Sequence, residues 1–222
     1  MHHQQQRELI NIARENGIRI MSDEVYRLLE HDPNNRLSAM ADAYEKGISC
    51  VTLSKPWGGC GITIGWLAFQ DIASIKQRLV DTQYFGTACP SRASELQAIM
   101  VLRASDDILK QNMAIIRRNL GLLDNFMHKY AKWFQWVRPR AGAVAFLKFK
   151  GPLTSERLGA DLAAAGLSIK PAYCFMGEEN VSEEVDFFRI GFGEAKFPSA
   201  LAALSAFVDE NEMDWEARTS RL

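Results

Sequence analysis

The chain has 222 residues, of which 47% are hydrophobic and 24% are charged, and its net charge is −1. This composition is ordinary for a globular protein and excludes disorder as the main state. The balanced charge gives no electrostatic reason for nonspecific binding to nucleic acid or to an anionic membrane. No apolar run approaches the roughly 18 residues of a membrane helix, and the first residues contain no apolar signal region. We therefore expect a cytoplasmic protein without nucleic-acid or membrane partners.

The four cysteines, Cys50, Cys60, Cys89 and Cys174, form no CxxC pair, and the sequence contains no HExxH motif. The spacing gives no basis for a zinc site, and we expect no bound metal. Disulfides are not expected either, because nothing in the sequence indicates an oxidising compartment.

In chain order, the first part of the sequence predicts short apolar strands separated by helices. A helix over 4–16 is ended by Gly17 and leads into a buried strand at 18–21. A short helix at 37–46 and a strand at 48–53 then complete a parallel βαβ unit. The elements expected next are a strand at 62–69 and helices at 71–81, 91–104 and 106–130.

The last part of the sequence predicts a mixture of antiparallel strands and helices. Pro139 and Gly142 separate two apolar runs, so a β-hairpin is expected there. The predicted elements are strands at 134–137, 144–149, 167–169 and 187–192, and helices at 155–165 and 198–210. The sequence thus indicates an α/β domain over 1–104 and an α+β domain over 105–222.

Two polar residues follow the first two predicted strands. Asp23 comes after the strand at 18–21, and Lys55 comes after the strand at 48–53. Ligands of open α/β sheets lie beyond the carboxyl ends of parallel strands, so Asp23 and Lys55 are expected to face one crevice. The alternative from spacing alone is that Asp23 caps the next turn and Lys55 is a solvated loop lysine.

A lysine in such a crevice has a specific chemical use, because its neutral amine attacks a carbonyl and forms a Schiff base. A nearby carboxylate would favour the charged amine and oppose that reaction. The pair makes chemical sense if the carboxylate serves another group, such as the protonated ring nitrogen of pyridoxal phosphate.

Three sequence blocks carry a family resemblance: SDEVYR at 22–27, SKPWGGCGITIGW at 54–66 and FFRIGFG at 187–193. Their order and spacing resemble the class I/II aminotransferases, which are pyridoxal-phosphate enzymes of fold type I. The resemblance covers essentially the whole chain. It implies a partial large cofactor-binding α/β domain followed by a small C-terminal α+β domain. It also implies amino-acid and keto-acid substrates and a homodimeric full-length protein.

The resemblance implies a role for each matching residue. Asp23 would pair with the pyridine nitrogen of pyridoxal 5′-phosphate and keep it protonated, and Tyr26 would donate a hydrogen bond to the ring 3-oxygen. Ser54 would bind the cofactor phosphate. Lys55 would form the Schiff base and move the proton between substrate and cofactor. Arg189 would bind the substrate α-carboxylate, to which a planar guanidinium is well matched. As structural alternatives, Tyr26 is a core tyrosine and Arg189 an edge-strand arginine.

The sequence departs from the family pattern in two ways. Where the family usually has a phosphate-binding arginine, eight residues after the lysine, this chain has Thr63, and Arg92 is a candidate substitute. The family also usually has a long segment before the first helix, which supplies a phosphate turn, a stacking aromatic residue and an asparagine. We therefore expect the chain to be a fragment or a truncated product that lacks this part of the site.

Three other functions remain open on the sequence. A pyridoxal-phosphate lyase, cyclase or decarboxylase would use the same residues, because the cofactor carries the chemistry. A catalytically inactive truncated protein would keep the fold without the activity. An effector-binding module of a transcription regulator is less favoured, since no basic segment precedes the domain.

Overall fold

The computed structural model describes residues 1–86, 88–176 and 182–220. The chain divides into two compact units, Met1–Met113 and Ala114–Leu222, each with a three-stranded sheet. The domain boundary expected near residue 105 stays a prediction, because compact units and domains need not coincide. Within the described ranges, no helix is both long and apolar enough to cross a membrane.

The first unit combines a mixed sheet with helices. Its elements are α1 (His3–Glu15), β1 (Ile20–Asp23), α2 (Met40–Ala43), β2 (Gly47–Thr52), β3 (Gly65–Phe69), α3 (Ile72–Gly86), α4 (Arg92–Arg103) and the start of α5 (Ser105–Lys129). The strand order is β1-β2-β3, with β1 parallel and β3 antiparallel to β2. The expected parallel βαβ unit is therefore confirmed.

The packing of α1 follows from its sequence. A capping box between His2 and Gln5 begins the helix, and Gly17, at φ 65°, lies just beyond its end. Ile10 and Ala13 lie three residues apart on one face, where they pack in a small core with α2. This core fixes the helix beside the sheet that carries the candidate site.

The position of β1 differs from the sequence prediction. The strand spans Ile20–Asp23 instead of 18–21, and its residues alternate between half-buried and exposed. Met21 is 67% exposed, so the expected buried strand is wrong. Among the described residues β1 pairs only with β2, whereas parallel strands are normally covered on both faces. The apolar run predicted a strand but not how much of it is covered.

The second unit contains an antiparallel sheet and long helices. Its elements are the rest of α5, β4 (Phe134–Trp136), β5 (Val144–Phe149), α6 (Ser155–Ala164), β6 (Phe187–Gly191) and α7 (Phe197–Thr219). The order is β4-β5-β6, which confirms the hairpin across Pro139 and Gly142. The strand expected at 167–169 is wrong: only an isolated bridge joins the next residue, Lys170, to Arg189.

An aromatic cluster forms much of the core of the second unit. Trp215 is 2% exposed, and its ring lies 5.4 Å from Trp133 and 4.7 Å from Phe149. Trp215 lies beyond the end expected for the last helix at residue 210. Burial of this ring explains why α7 continues to Thr219, since packing stabilises helices more than local preference does.

Candidate functional site

The candidate site lies where β1 and β2 end together. The two strands are parallel, and Asp23 at the end of β1 pairs with Cys50 near the end of β2. Ser54 and Lys55 lie in the turn that follows β2. The carboxyl ends of parallel neighbours meet at one edge of a sheet, so Asp23, Ser54 and Lys55 belong to the same edge.

Asp23 begins the loop that contains the SDEVYR block. Its side chain is exposed, and Oδ1 accepts a hydrogen bond from the Val25 backbone N–H at 3.1 Å. Tyr26 is half-buried in the turn that follows. Burial raises the pKa of the neighbouring Cys50 thiol, and the negative charges of Asp23 and Glu24 raise it further.

Glu24 fixes this loop to the rest of the unit. Its Oε1 accepts hydrogen bonds from the Met40 backbone N–H at 2.8 Å and from Ser49 Oγ at 2.7 Å. Its Oε2 is buried without a hydrogen bond and lies 3.7 Å from Nη1 of Arg27. The Glu24 backbone N–H also donates to the Cys50 carbonyl at 2.9 Å. The residue after Asp23 is thus held by both its backbone and its side chain.

Two hydroxyl groups lie at the end of β2. Thr52 Oγ1 and Ser54 Oγ are 3.0 Å apart, and the Ser54 backbone N–H donates to Thr52 Oγ1 at 3.2 Å. Both side chains are half-buried, whereas Lys55 is exposed. Within the described part of the chain, the Lys55 ammonium makes no hydrogen bond or ion pair. Hydroxyls and an available amine suit the binding of an anion that carries a carbonyl group.

The glycine-rich turn after Lys55 has one position whose backbone favours glycine and one where a side chain would fit tightly. Gly58 has a φ of 66°, and a Cβ atom on Gly59 would lie 3.2 Å from the Leu53 carbonyl oxygen. The backbone therefore turns tightly at these two positions. Gly61 has no atom within 4 Å of its ideal Cβ position, so space does not require glycine there.

Thr63 occupies the position where the resemblance implies a phosphate-binding cation. It is exposed, has a φ of 54°, and its Oγ1 donates to the Ile62 carbonyl at 2.8 Å. A β-branched residue with positive φ is an outlier. Arg92, the candidate substitute, is paired with Glu95 at 2.9 Å. Its role at a phosphate stays a prediction.

Arg189 lies in β6 of the second unit, opposite Phe146 of β5. It is half-buried, and its guanidinium carbon lies 5.1 Å from the centre of the Phe175 ring. Its backbone forms two hydrogen bonds with Lys170. Within the described residues its side chain makes no salt bridge, so the guanidinium is available to a carboxylate.

The comparisons with known proteins identify the family. The family model for class I and II aminotransferases matches residues 1–196. The chain belongs to this family, whose structurally characterised members include pyridoxal-phosphate-dependent enzymes. It is 23% identical over 171 residues to the aspartate aminotransferase of Thermococcus kodakarensis, which covers 76% of this chain and 43% of that protein.

Solved structures show the same fold. A pyridoxal-phosphate-dependent aminotransferase from Streptococcus suis superposes with a TM-score of 0.83 at 27% identity, covering 95% of this chain and 54% of that one. The pyridoxal-phosphate-dependent cyclase OrfR superposes with a TM-score of 0.80 at 24% identity, covering 95% of this chain and 55% of that one. The aromatic aminotransferase of Pyrococcus horikoshii superposes with a TM-score of 0.77 at 20% identity, covering 93% of this chain and 55% of that one. The chain therefore spans about half the length of these relatives.

The donor set at the sheet edge fits pyridoxal phosphate. An exposed carboxylate suits a protonated ring nitrogen, an exposed amine suits the aldehyde, and a hydroxyl suits the phosphate. The carboxylate is that of Asp23, the amine that of Lys55, and the hydroxyl that can donate to the phosphate is that of Ser54, because the Thr52 hydroxyl donates to the Ile64 carbonyl at 3.1 Å. The disagreement is at Thr63, where the residue provides no cation.

The structure adds three residues that contact the site and that the sequence did not indicate: Glu24, Ser105 and Asn112. Glu24 lies within the SDEVYR block, but only the fold shows that its carboxylate is buried. Ser105 and Asn112 reach the turn after Lys55 from α5. No sequence signal indicates these partners, since they are far away along the chain.

Proposed function

We propose that this chain carries the lysine-bearing part of an aminotransferase site that binds pyridoxal phosphate and acts on an α-amino acid. The observation that supports this most directly is the parallel pairing of β1 with β2, in register at Asp23 and Cys50. It brings the carboxylate and the Ser54–Lys55 turn to one sheet edge. Because the chain spans about half the length of its relatives, the activity of the whole protein is part of the proposal.

Each residue at the sheet edge has a task that suits its chemistry. When bound, pyridoxal phosphate supplies an aldehyde that captures amines and a ring that accepts electrons from the substrate α-carbon. Asp23 accepts a hydrogen bond from the ring N–H and keeps that proton in place. Tyr26 donates a hydrogen bond to the ring oxygen, and Ser54 donates to the phosphate. Lys55 Nζ would hold the cofactor through its aldehyde and, once the substrate amine has taken its place there, would move the α-proton.

Arg189 orients the substrate through its α-carboxylate. A guanidinium donates two parallel hydrogen bonds to a carboxylate, which fixes the direction of the α-carbon as well as adding affinity. The ring of Phe175 supports one side of the guanidinium and restricts its movement.

Cofactor binding is tested by titration of the chain with pyridoxal phosphate, followed through the visible absorbance of the bound aldehyde. Lys55→Ala should abolish the absorbance change, while Lys76→Ala, an exposed lysine on α3, should leave it unchanged. Equal absorbance changes in both variants would contradict the role of Lys55.

Substrate binding is tested by steady-state kinetics with α-amino acids and with amines that lack a carboxylate. Arg189→Gln should raise KM strongly for α-amino acids and much less for amines without a carboxylate. Equal losses for both substrate types would contradict carboxylate binding. Formation of a keto acid with stoichiometric amino transfer distinguishes an aminotransferase from a lyase or cyclase using the same residues.

A further inference from the structure

The turn that carries Lys55 is attached to α5 by two side-chain hydrogen bonds. The indole Nε1 of Trp57 donates to Ser105 Oγ at 2.7 Å. Nδ2 of Asn112 donates to the Pro56 carbonyl oxygen at 2.9 Å. Pro56 and Trp57 directly follow Lys55, so both bonds act within two residues of the lysine. Ser105 and Asn112 belong to the same compact unit as the turn.

The backbone on the other side of Lys55 is also fixed. Leu53 is fully buried, and its N–H donates to the Ile64 carbonyl at 3.1 Å. Its carbonyl accepts from the Gly59 N–H at 3.0 Å, which closes the turn. The Trp57 ring also lies 6.3 Å from the ring of Trp66 on β3. An exposed lysine side chain thus extends from a backbone held on both sides.

We propose that Asn112 and Trp57 are positioning residues that hold Lys55 where its amine meets the cofactor aldehyde. The proposal rests on the proposed function of Lys55. A lysine side chain has many rotamers, and an anchored backbone reduces the volume that Nζ samples. Reactions between held groups depend steeply on geometry, and a displacement of about 1 Å can cost on the order of 100-fold in rate.

A purely structural role gives a different expectation. A buried carbonyl and an indole N–H need hydrogen-bond partners in any fold, so their loss would lower stability in either case. Only a positioning role changes the reactivity of Lys55 toward the cofactor in molecules that remain folded. The rate of lysine modification per folded molecule therefore separates the two roles.

The variants remove one interaction each. Asn112→Asp removes the donor to Pro56 and places an acceptor there. Trp57→Phe keeps an aromatic ring beside Trp66 but loses the N–H, and Ser105→Ala removes the acceptor of the same bond. Gln111→Ala changes an exposed neighbour of Asn112 on α5 and serves as the control.

The measurement is the rate of reductive trapping with pyridoxal phosphate and borohydride, under conditions where urea unfolding shows that the variant is folded. The amine adds to the aldehyde carbon, water leaves, and borohydride delivers hydride to give a stable secondary amine. Mass spectrometry quantifies the product at Lys55 and at the exposed Lys76 as an internal reference. The same assay with a simple aldehyde, which has no fixed place at the sheet edge, measures the intrinsic reactivity of the Lys55 amine and should give the same rate in every folded variant.

Asn112→Asp and Trp57→Phe should slow trapping at Lys55 about tenfold and leave Lys76 unchanged. Ser105→Ala should slow trapping at Lys55 as much as Trp57→Phe does. The double variant that combines these two changes should be trapped no more slowly than either single variant. Unchanged Lys55 rates with pyridoxal phosphate in the folded variants would overturn the proposal and leave the proposed function intact. A wild-type chain that is not trapped at Lys55 would overturn both. If Asn112→Asp does not fold, the trapping rates of the Trp57 and Ser105 variants still test whether the turn positions Lys55.

Discussion

Replacement of Glu24 by alanine tests whether the loop after β1 is fixed as the structure shows. The Glu24 side chain is only 10% exposed, and its Oε1 accepts from the Met40 N–H and from Ser49 Oγ. Ser49 is 1% exposed, so its hydroxyl would lose a buried acceptor that water cannot easily replace. The change therefore removes two charge-assisted hydrogen bonds at once.

The expected loss can be estimated from these contacts. A hydrogen bond to a charged group contributes about 1.5–3 kcal/mol, so two give a loss of roughly 3–6 kcal/mol in unfolding free energy. The Arg27 ion pair adds little, because Nη1 is 3.7 Å away and the arginine side chain is 27% exposed. Glu24→Gln keeps an acceptor oxygen and should lower the unfolding free energy by about 1–2 kcal/mol.

Urea unfolding measures this loss, and hydrogen exchange of amides in β1 and β2 assigns it to the first unit. With a slope of about 1.5–2 kcal/mol/M, the midpoint for Glu24→Ala should fall by roughly 1.5–4 M. Glu15→Ala, an exposed glutamate at the end of α1, is the control and should change stability by less than about 0.5 kcal/mol. A loss below about 1 kcal/mol for Glu24→Ala would refute the argument.

Three further predictions concern single groups. Burial, Asp23 and Glu24 raise the pKa of the Cys50 thiol, so Cys50 should be alkylated more slowly than the exposed Cys60 at neutral pH. Asp23→Asn should move the Cys50 alkylation profile to lower pH, and an unmoved profile would contradict the proximity of the two groups. Thr63→Arg should tighten pyridoxal-phosphate binding by about one to two decades, measured by titration, whereas unchanged affinity would mean that another group neutralises the phosphate. Hydrogen bonds from Tyr130 and, to a lesser degree, from Lys129 lower the pKa of Asp209. The charged Asp209 carboxylate therefore stabilises the fold above the ordinary carboxyl pKa. This stabilisation is lost as pH falls through the lowered pKa. Asp209→Asn should reduce the loss of unfolding free energy at acid pH, measured by urea unfolding at a series of pH values. An unchanged loss at acid pH would exclude Asp209 as its source.

Periodicity in the sequence predicted the existence of most elements but not their limits. The apolar run at 18–21 predicted β1, yet pairing begins at Ile20 because Ile20 is the residue opposite Gly47. The last helix was expected to stop at residue 210, but burial of Trp215 extends it. In both cases contacts with distant residues, which no local pattern contains, decide the boundary.

The same distinction applies to the candidate site. Asp23, Ser54 and Lys55 could be placed at one sheet edge from the order of strands and motifs, since parallel pairing brings strand ends together. Asn112 could not be predicted, because its partner Pro56 is 56 positions earlier and an asparagine on a helix carries no sequence signal. Glu24 was visible as part of a motif, but its buried carboxylate follows from the packing of α2 against β2.

The central claim, that Lys55 is the residue to which pyridoxal phosphate attaches, is tested most directly by peptide mapping. The protein is incubated with pyridoxal phosphate, reduced with borohydride, digested and analysed by mass spectrometry. The account predicts that the cofactor mass is found on the peptide containing Lys55 and is lost in Lys55→Ala. Labelling concentrated on another lysine, or labelling that persists unchanged in Lys55→Ala, would contradict it.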